Sequence, residues 1–325
     1  MQAAYIKQTG APDVIQIGQL PLPYVASHDV LVKIKGVAVN HVDRFVRSGG
    51  FQTKLTYPFI IGRDAVGTVI QCGPAVSNFQ VGDLVWTNSM GYAGRQGVTS
   101  EYAAIPEPRL FKIPAGCHPL KVVAAVHSAA TAAILLTDVL NASSGDQLLV
   151  EGGAGHVGRK LVQLAALMGV QVTATADPAD FASLEALGAT TLHDYHQPYV
   201  PADGQVDQIV DTSGKVPLQA NLACLKQQGR LALITAPATD QATFKVSDFY
   251  INDKKILGFV ISHATLPQLQ QAAKIVNYAF SQGLLLEDKL AINAFPYAAT
   301  AHRRLAAGGV KEKIVLVPDA AEIDF

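Results

Sequence analysis

At 325 residues the chain is too long for one ordinary core, and two domains are expected. It is 49% apolar and 16% charged with a formal net charge of −1. Lys and Arg do not cluster, so neither a nucleic-acid partner nor a membrane surface is expected. Cys72, Cys117 and Cys224 stand far apart without a Cys-x-x-Cys pair, which argues against a disulfide framework and fits a reducing cytoplasm.

Met1 to Asp13 lacks a basic segment followed by an apolar run, so no secretory signal is expected there. The first ~120 residues read as short strands and turns. Val30 to Ile34 and Ala65 to Ile70 are β-branched and apolar, and Gly73-Pro74 and Gly82-Asp83 supply turn chemistry. Val122 to Leu136 is the most apolar stretch, but it is short for a membrane span and carries His127, Ser128 and Thr131; it reads as a buried helix.

From about Lys121 strands and helices alternate. Gln147 to Val150 is a short buried strand, followed by a helix with Val157, Leu161, Leu164, Ala165 and Met168 on one face. Val170 to Ala176 is a second strand, and Asp177-Pro178 starts a helix that Gly188 stops. Further strands are predicted at Gln208 to Val210, Arg230 to Thr235 and Lys255 to Ile261, with a helix at Val216 to Gln227. This alternation predicts a doubly wound parallel sheet. After Thr265 a long helix leads to a last strand, Glu312 to Val317. The expected organisation is one domain of residues 1–120 and 264–325, with a dinucleotide-binding domain at 121–263 inserted into it. The apolar run at Lys255 to Ile261 predicts a sheet edge that needs covering, and hence a homodimer.

Gly153-Ala154-Gly155-His156-Val157-Gly158 matches G-x-G-x-x-G in the strand–turn–helix context that the motif requires. Its glycines allow a tight turn and close approach of a pyrophosphate, and the helix N-terminus offers free N–H groups. Asp177, at the end of the second strand, suits either an adenosine ribose or the N-cap before Pro178, and one residue can serve both.

Several blocks together resemble the quinone oxidoreductases of the medium-chain dehydrogenase/reductase superfamily. They are Gly36-Val37-Ala38-Val39-Asn40 with Asp43 and Arg47-Ser48-Gly49, and Tyr57-Pro58 through Gly62-Arg63-Asp64-Ala65-Val66-Gly67-Thr68-Val69. Val76 through Phe79 to Gly82-Asp83-Leu84-Val85, Glu101-Tyr102-Ala103, the glycine turn and Lys313-Ile314-Val315-Leu316 extend the match over essentially the whole chain. The resemblance implies a GroES-like β-barrel catalytic domain plus a Rossmann domain. It implies hydride transfer from NADPH or NADH to a quinone or α,β-unsaturated carbonyl.

By the same resemblance Asn40 bonds the nicotinamide ribose or a substrate oxygen, Thr131 lies beside the nicotinamide, and Tyr195 lies near the adenosine phosphate. Thr235, Ala236, Phe259 and Lys313 complete the implied cofactor set. The catalytic zinc ligands of related alcohol dehydrogenases fall on Asn40, Arg63 and roughly His127. Asn and Arg do not suit zinc, so no metal is expected. Arg63 is a candidate to polarise a carbonyl or stabilise an enolate, against a salt bridge to Asp43 or Asp64. His41, His127 and Arg47 read as structural, and Tyr92 sits in a polar loop. Phe51 stands where many relatives have a tyrosine, so a tyrosine-based proton donor does not carry over. The whole-chain resemblance favours NADPH. The absence of Lys and Arg between Leu161 and Gly214, with Asp177 facing a 2′-phosphate, favours NADH. A zinc-dependent alcohol dehydrogenase and a non-catalytic nucleotide-binding protein are the rival readings.

Overall fold

A computed structural model of the chain describes residues 1–197 and 204–319. The chain begins with β1 (Gln2–Ile6), β2 (Gln16–Gln19), β3 (Asp29–Ala38), α1 (His41–Ser48), β4 (Phe59–Ile60), β5 (Asp64–Cys72), β6 (Leu84–Thr87), β7 (Tyr102–Pro106) and β8 (Phe111–Lys112). Helix α2 (Pro119–Ile134) ends in a π-helical turn, Leu135–Val139. Then come β9 (Gln147–Glu151), α3 (His156–Leu167), β10 (Gln171–Ala176), α4 (Phe181–Ala186), β11 (Thr191–Asp194) and β12 (Val206–Asp211). They are followed by α5 (Leu218–Cys224), β13 (Leu225–Leu233), α6 (Val246–Tyr250) and β14 (Lys255–Gly258). The last elements are α7 (Leu266–Ser281), β15 (Leu290–Ala294), α8 (Ala298–Ala307) and β16 (Lys313–Val317).

The chain divides into two compact units: Met1–His127 with the chain from Leu269 onward, and Ser128–Gln268. In the first unit β15, β16, β3, β5, β6 and β8 are neighbours in that order, with β7 also pairing β3, and a smaller sheet has the order β2-β1-β4. The pleat shows in the alternation of β3, where Lys33 and Lys35 are exposed while Val32 and Ile34 are buried. Those buried residues join Val37, Val69, Val85, Ile105 and Leu316 in one core. Antiparallel pairing sets Ala38 opposite both Val315 and Asp64.

The second unit is a parallel sheet of order β11-β10-β9-β12-β13-β14. Reading from β9, the order is that of a doubly wound dinucleotide fold, and direction reverses between β9 and β12. Its strand cores are apolar, as sheets covered on both faces require. Leu149, Ile209, Leu222, Cys224, Leu225 and Leu231 pack together on one side.

Some sequence expectations need correction. The helix predicted to Gln227 stops at Cys224, because Leu225 is buried and pairs with Val206 as the start of β13. A register shift follows, and the positive φ of Gln228 absorbs it. The strand predicted to Ile261 ends at Gly258; Ile261, 4% exposed, opens a 3₁₀ turn instead. Helix α1, β15 and α8 have no counterpart among the predicted elements. Helix α1 had a readable signal, since Asn40 and Asp43 form a capping box. The Pro119–Val139 helix is long and apolar enough to cross a membrane, yet 78% of its most apolar window is buried within the protein.

Candidate active site

In the first unit, strand pairing assembles a buried polar cluster. Since Ala38 lies opposite Val315, Asn40 falls opposite Lys313, and both are buried at 3% and 5% exposure. Lys313 donates from Nζ to Asn40 Oδ1. Asn40 Nδ2 donates to Asp64 Oδ2 at 2.6 Å, and His127 Nδ1 stands 3.0 Å from the same oxygen. The Asn40 backbone N–H donates to Asp43 Oδ2 at 2.7 Å, closing the cap of α1. Asn40 is therefore held on three sides, as buried polar groups require.

Charge in this cluster is tightly coupled. Burial, then the neighbouring Asp64, pushes the Asp43 carboxyl up to about 7, against the Asn40 N–H, Arg63 and Lys313. Arg63 is 3% exposed. Burial lowers its pKa, while Asp64 and Asp43 hold it up. The anticipated pairing of Arg63 with those two carboxylates is thus present as electrostatic proximity. Burial likewise lowers His127 despite Asp64 beside it, which favours the neutral imidazole.

The three positions where related enzymes hold zinc do not fit a metal here. A guanidinium cannot ligate, the Asn40 oxygen already accepts from Lys313, and His127 faces Asp64. Phe51, which lacks a hydroxyl, packs edge-on between Phe45 and Tyr92, with ring centroids 6.1 and 5.9 Å away. Arg47 donates to the Gly10 carbonyl oxygen, and His41 meets Arg44 on the surface.

In the second unit the glycine turn joins β9 to α3. Gly155 is the N-cap of α3 and is exposed. A Cβ at Gly155 would meet only the Gly152 carbonyl oxygen, at 3.3 Å, so the turn is open on the side where a ligand would approach. Gly158 differs: a Cβ there would lie 2.3 Å from the Gly152 oxygen, so this glycine permits the close crossing of α3 over the turn. Gly153 donates its N–H to the Thr175 carbonyl, tying the turn to β10. His156 and Val157 begin α3, and Ala154 is half-buried in the turn.

The remaining cofactor candidates of this unit lie at the carboxyl ends of its strands, where open α/β sheets bind ligands. Asp177 follows β10 and caps the next turn, its Oδ1 accepting from the Ala179 N–H at 2.9 Å. Tyr195 follows β11; it is 52% exposed and packs against His196 with ring centroids 4.3 Å apart. Thr235 and Ala236 follow β13 and are exposed, and Phe259 follows β14, its N–H bonded to the Leu233 carbonyl. Thr131 is buried on α2. Lys313 belongs to the first unit, where its Nζ donates to Asn40.

Sequence reasoning missed a pair of acids at the point where the sheet reverses. Glu151 and Asp211 are paired across β9 and β12 and are each 3% exposed. Glu151 accepts from Asn221 Nδ2 at 2.9 Å, and its pKa is raised to about 8 by burial and then by Asp211. Asp211 Oδ1 accepts from Ser213 N–H, Ser213 Oγ and the Gly214 N–H, shaping the loop after β12. The available signal was an acid directly before the glycine turn and an Asp-Thr-Ser-Gly run at a strand end.

Comparison with known proteins agrees with this arrangement. Residues 26–115 match the alcohol dehydrogenase GroES-like domain, and residues 157–276 match the zinc-binding dehydrogenase domain. Human quinone oxidoreductase is 25% identical over 98% of both chains. A mycobacterial protein solved in complex with NADPH is 27% identical, with TM-score 0.81 over 98% of this chain and 100% of that one. A solved NAD-dependent alcohol dehydrogenase is 26% identical, with TM-score 0.83 over 98% and 100%. With both domain models and whole-chain relatives in agreement, the chain belongs to the quinone oxidoreductase-like medium-chain dehydrogenase/reductases, a family of oxidoreductases.

Proposed function

We propose that this oxidoreductase is a zinc-independent, NAD(P)H-dependent reductase of quinones or α,β-unsaturated carbonyls, with NADPH favoured over NADH. The observation that carries the reading is Arg63, a buried guanidinium beside Asp64 and Asp43, where zinc enzymes place a ligand. The quinone oxidoreductase name of the human relative supports the acceptor class, and the NADPH complex of the mycobacterial neighbour supports the cofactor.

A bound nicotinamide supplies the hydride. The acceptor's β-carbon takes that hydride, the C=C electron pair shifts toward the carbonyl oxygen, and the α-carbon then takes a proton from water. Arg63 stabilises the developing oxyanion, and Asn40 orients the acceptor or the ribose. Gly153 to Gly158 hold the pyrophosphate at the N-terminus of α3, and Asp177 and Tyr195 hold the adenosine end. In this reading residues 121–263 bind the cofactor, while 1–120 and 264–325 bind the small-molecule acceptor. The protein works as a cytoplasmic homodimer.

The test is NADPH and NADH oxidation against a panel of quinones and enones, with and without a chelator. Turnover insensitive to the chelator is expected. Tight cofactor binding without turnover of any acceptor would replace the enzyme reading with a nucleotide-binding one.

A further inference from the structure

Near the Asn40 cluster, the first unit brings two further guanidiniums together. Arg95 donates from Nε to the Ser89 carbonyl oxygen at 3.1 Å, and Arg109 donates from Nη1 to Ser89 Oγ at 3.1 Å. Two half-buried guanidiniums thus converge on one serine. Arg63 joins them electrostatically: Arg95 is pushed down to about 10 by burial and then by Arg109 and Arg63. The carboxylates nearest Arg63, Asp64 and Asp43, also face Lys313 or its partner Asn40. Among the described residues, Arg95 and Arg109 bond Ser89 and make no ion pair.

The same short segment holds a second unmet demand. Asn88, adjacent to Ser89, is 1% exposed, and its amide N and O have no hydrogen-bond partner among the described residues. A buried amide left in that state costs free energy. Like charges brought together in a partly dry place also cost free energy, and such costs concentrate at functional sites. A carboxylate would lower the charge cost, because guanidinium forks match its two oxygens in charge and geometry.

We propose that Arg95 and Arg109, adjoining Arg63, hold a carboxylate of the acceptor, so that the substrate class is a carboxylate-bearing enone or quinone. This rests on the reading that an acceptor is reduced beside Asn40 and Arg63, and it adds the charge that the acceptor carries. A neutral acceptor would leave the Arg95 and Arg109 guanidiniums together on Ser89 with no carboxylate in ion-pair contact among the described residues.

The test compares trans-4-oxopent-2-enoate with its methyl ester, a pair of nearly equal shape that differs in charge. The wild type should favour the acid in kcat/KM by about tenfold or more, the loss typical of one charge-assisted hydrogen bond. In Arg95→Gln and in Arg109→Gln the acid-to-ester ratio should fall toward one. A wild type that uses the ester equally well, or a ratio unchanged in both variants, would overturn the proposal. If no enone or quinone is reduced with either cofactor, the reductase reading fails by itself. Calorimetric titration with 4-oxopentanoate, which lacks the reducible double bond, then decides the anion site separately. Binding that weakens about tenfold in the variants keeps the site, and no binding to the wild type removes it. Inorganic phosphate that displaces 4-oxopentanoate and binds more tightly would overturn the assignment to a carboxylate.

Discussion

Glu151 is a residue at which burial has a large readable consequence. In the unfolded chain it ionises near 4.5, and in the folded protein near 8. Its protonated form is the one that folding favours, so its stabilising contribution is complete below pH 4.5 and is lost as pH rises to about 8. Within that window one proton separates the two states, a slope of roughly 1.4 kcal/mol per pH unit. Glu151→Gln should remove that slope in urea unfolding of the cofactor-free protein between pH 5 and 8. The slope due to Asp43, whose pKa is about 7, should remain. Equal slopes in the two proteins would mean that Glu151 is ionised in the fold. Asp177 carries the second prediction at this scale. Its Oδ1 caps the turn, and on the proposed cofactor reading its carboxylate would face the 2′-phosphate of NADPH. Asp177→Ser, which preserves a capping oxygen, should tighten NADPH about tenfold, roughly 1.4 kcal/mol. A wild type that prefers NADH by more than tenfold in kcat/KM would reverse the cofactor assignment.

The turn between β9 and α3 separates two kinds of glycine that look alike in sequence. Gly155→Ala should leave both fold and cofactor affinity nearly intact, since its Cβ meets one atom at 3.3 Å. Gly155→Asp should fold but lose cofactor binding, because a carboxylate would meet the pyrophosphate. Gly158→Ala should lower the unfolding temperature by several degrees, because α3 must move off the turn. Fluorescence titration and thermal melts distinguish the three. Cofactor affinity unchanged in Gly155→Asp would remove this turn from the binding site. The strand–turn–helix here was legible because both signals are local: apolar periodicity and glycine spacing. The limits of α5 and β14 were not, because Leu225 joins a core assembled from distant strands and Ile261 is buried in a 3₁₀ turn rather than continuing the strand. Asn40 and Lys313 were each singled out, but their mutual hydrogen bond depends on the pairing of β3 with β16, which no local pattern specifies. Arg95 and Arg109 went unnoticed because their convergence on Ser89 is a tertiary event.

For the whole molecule, β14 is the edge of the parallel sheet, and Ile256 and Leu257 on it are half-buried within the chain. On the proposed homodimer, a second copy would cover this edge and its apolar side chains. A dimer is expected in sedimentation at micromolar concentration, and Leu257→Lys should shift it toward monomer. A monomeric wild type would contradict this. The central claim, hydride transfer without zinc, has one direct measurement. Protein stripped by chelator and verified metal-free by elemental analysis is given C4-deuterated NADPH and an enone, and the product is weighed by mass spectrometry. The account predicts a single deuterium on the β-carbon, at a rate unchanged by added zinc. Activity that disappears with the metal and returns with zinc would contradict it.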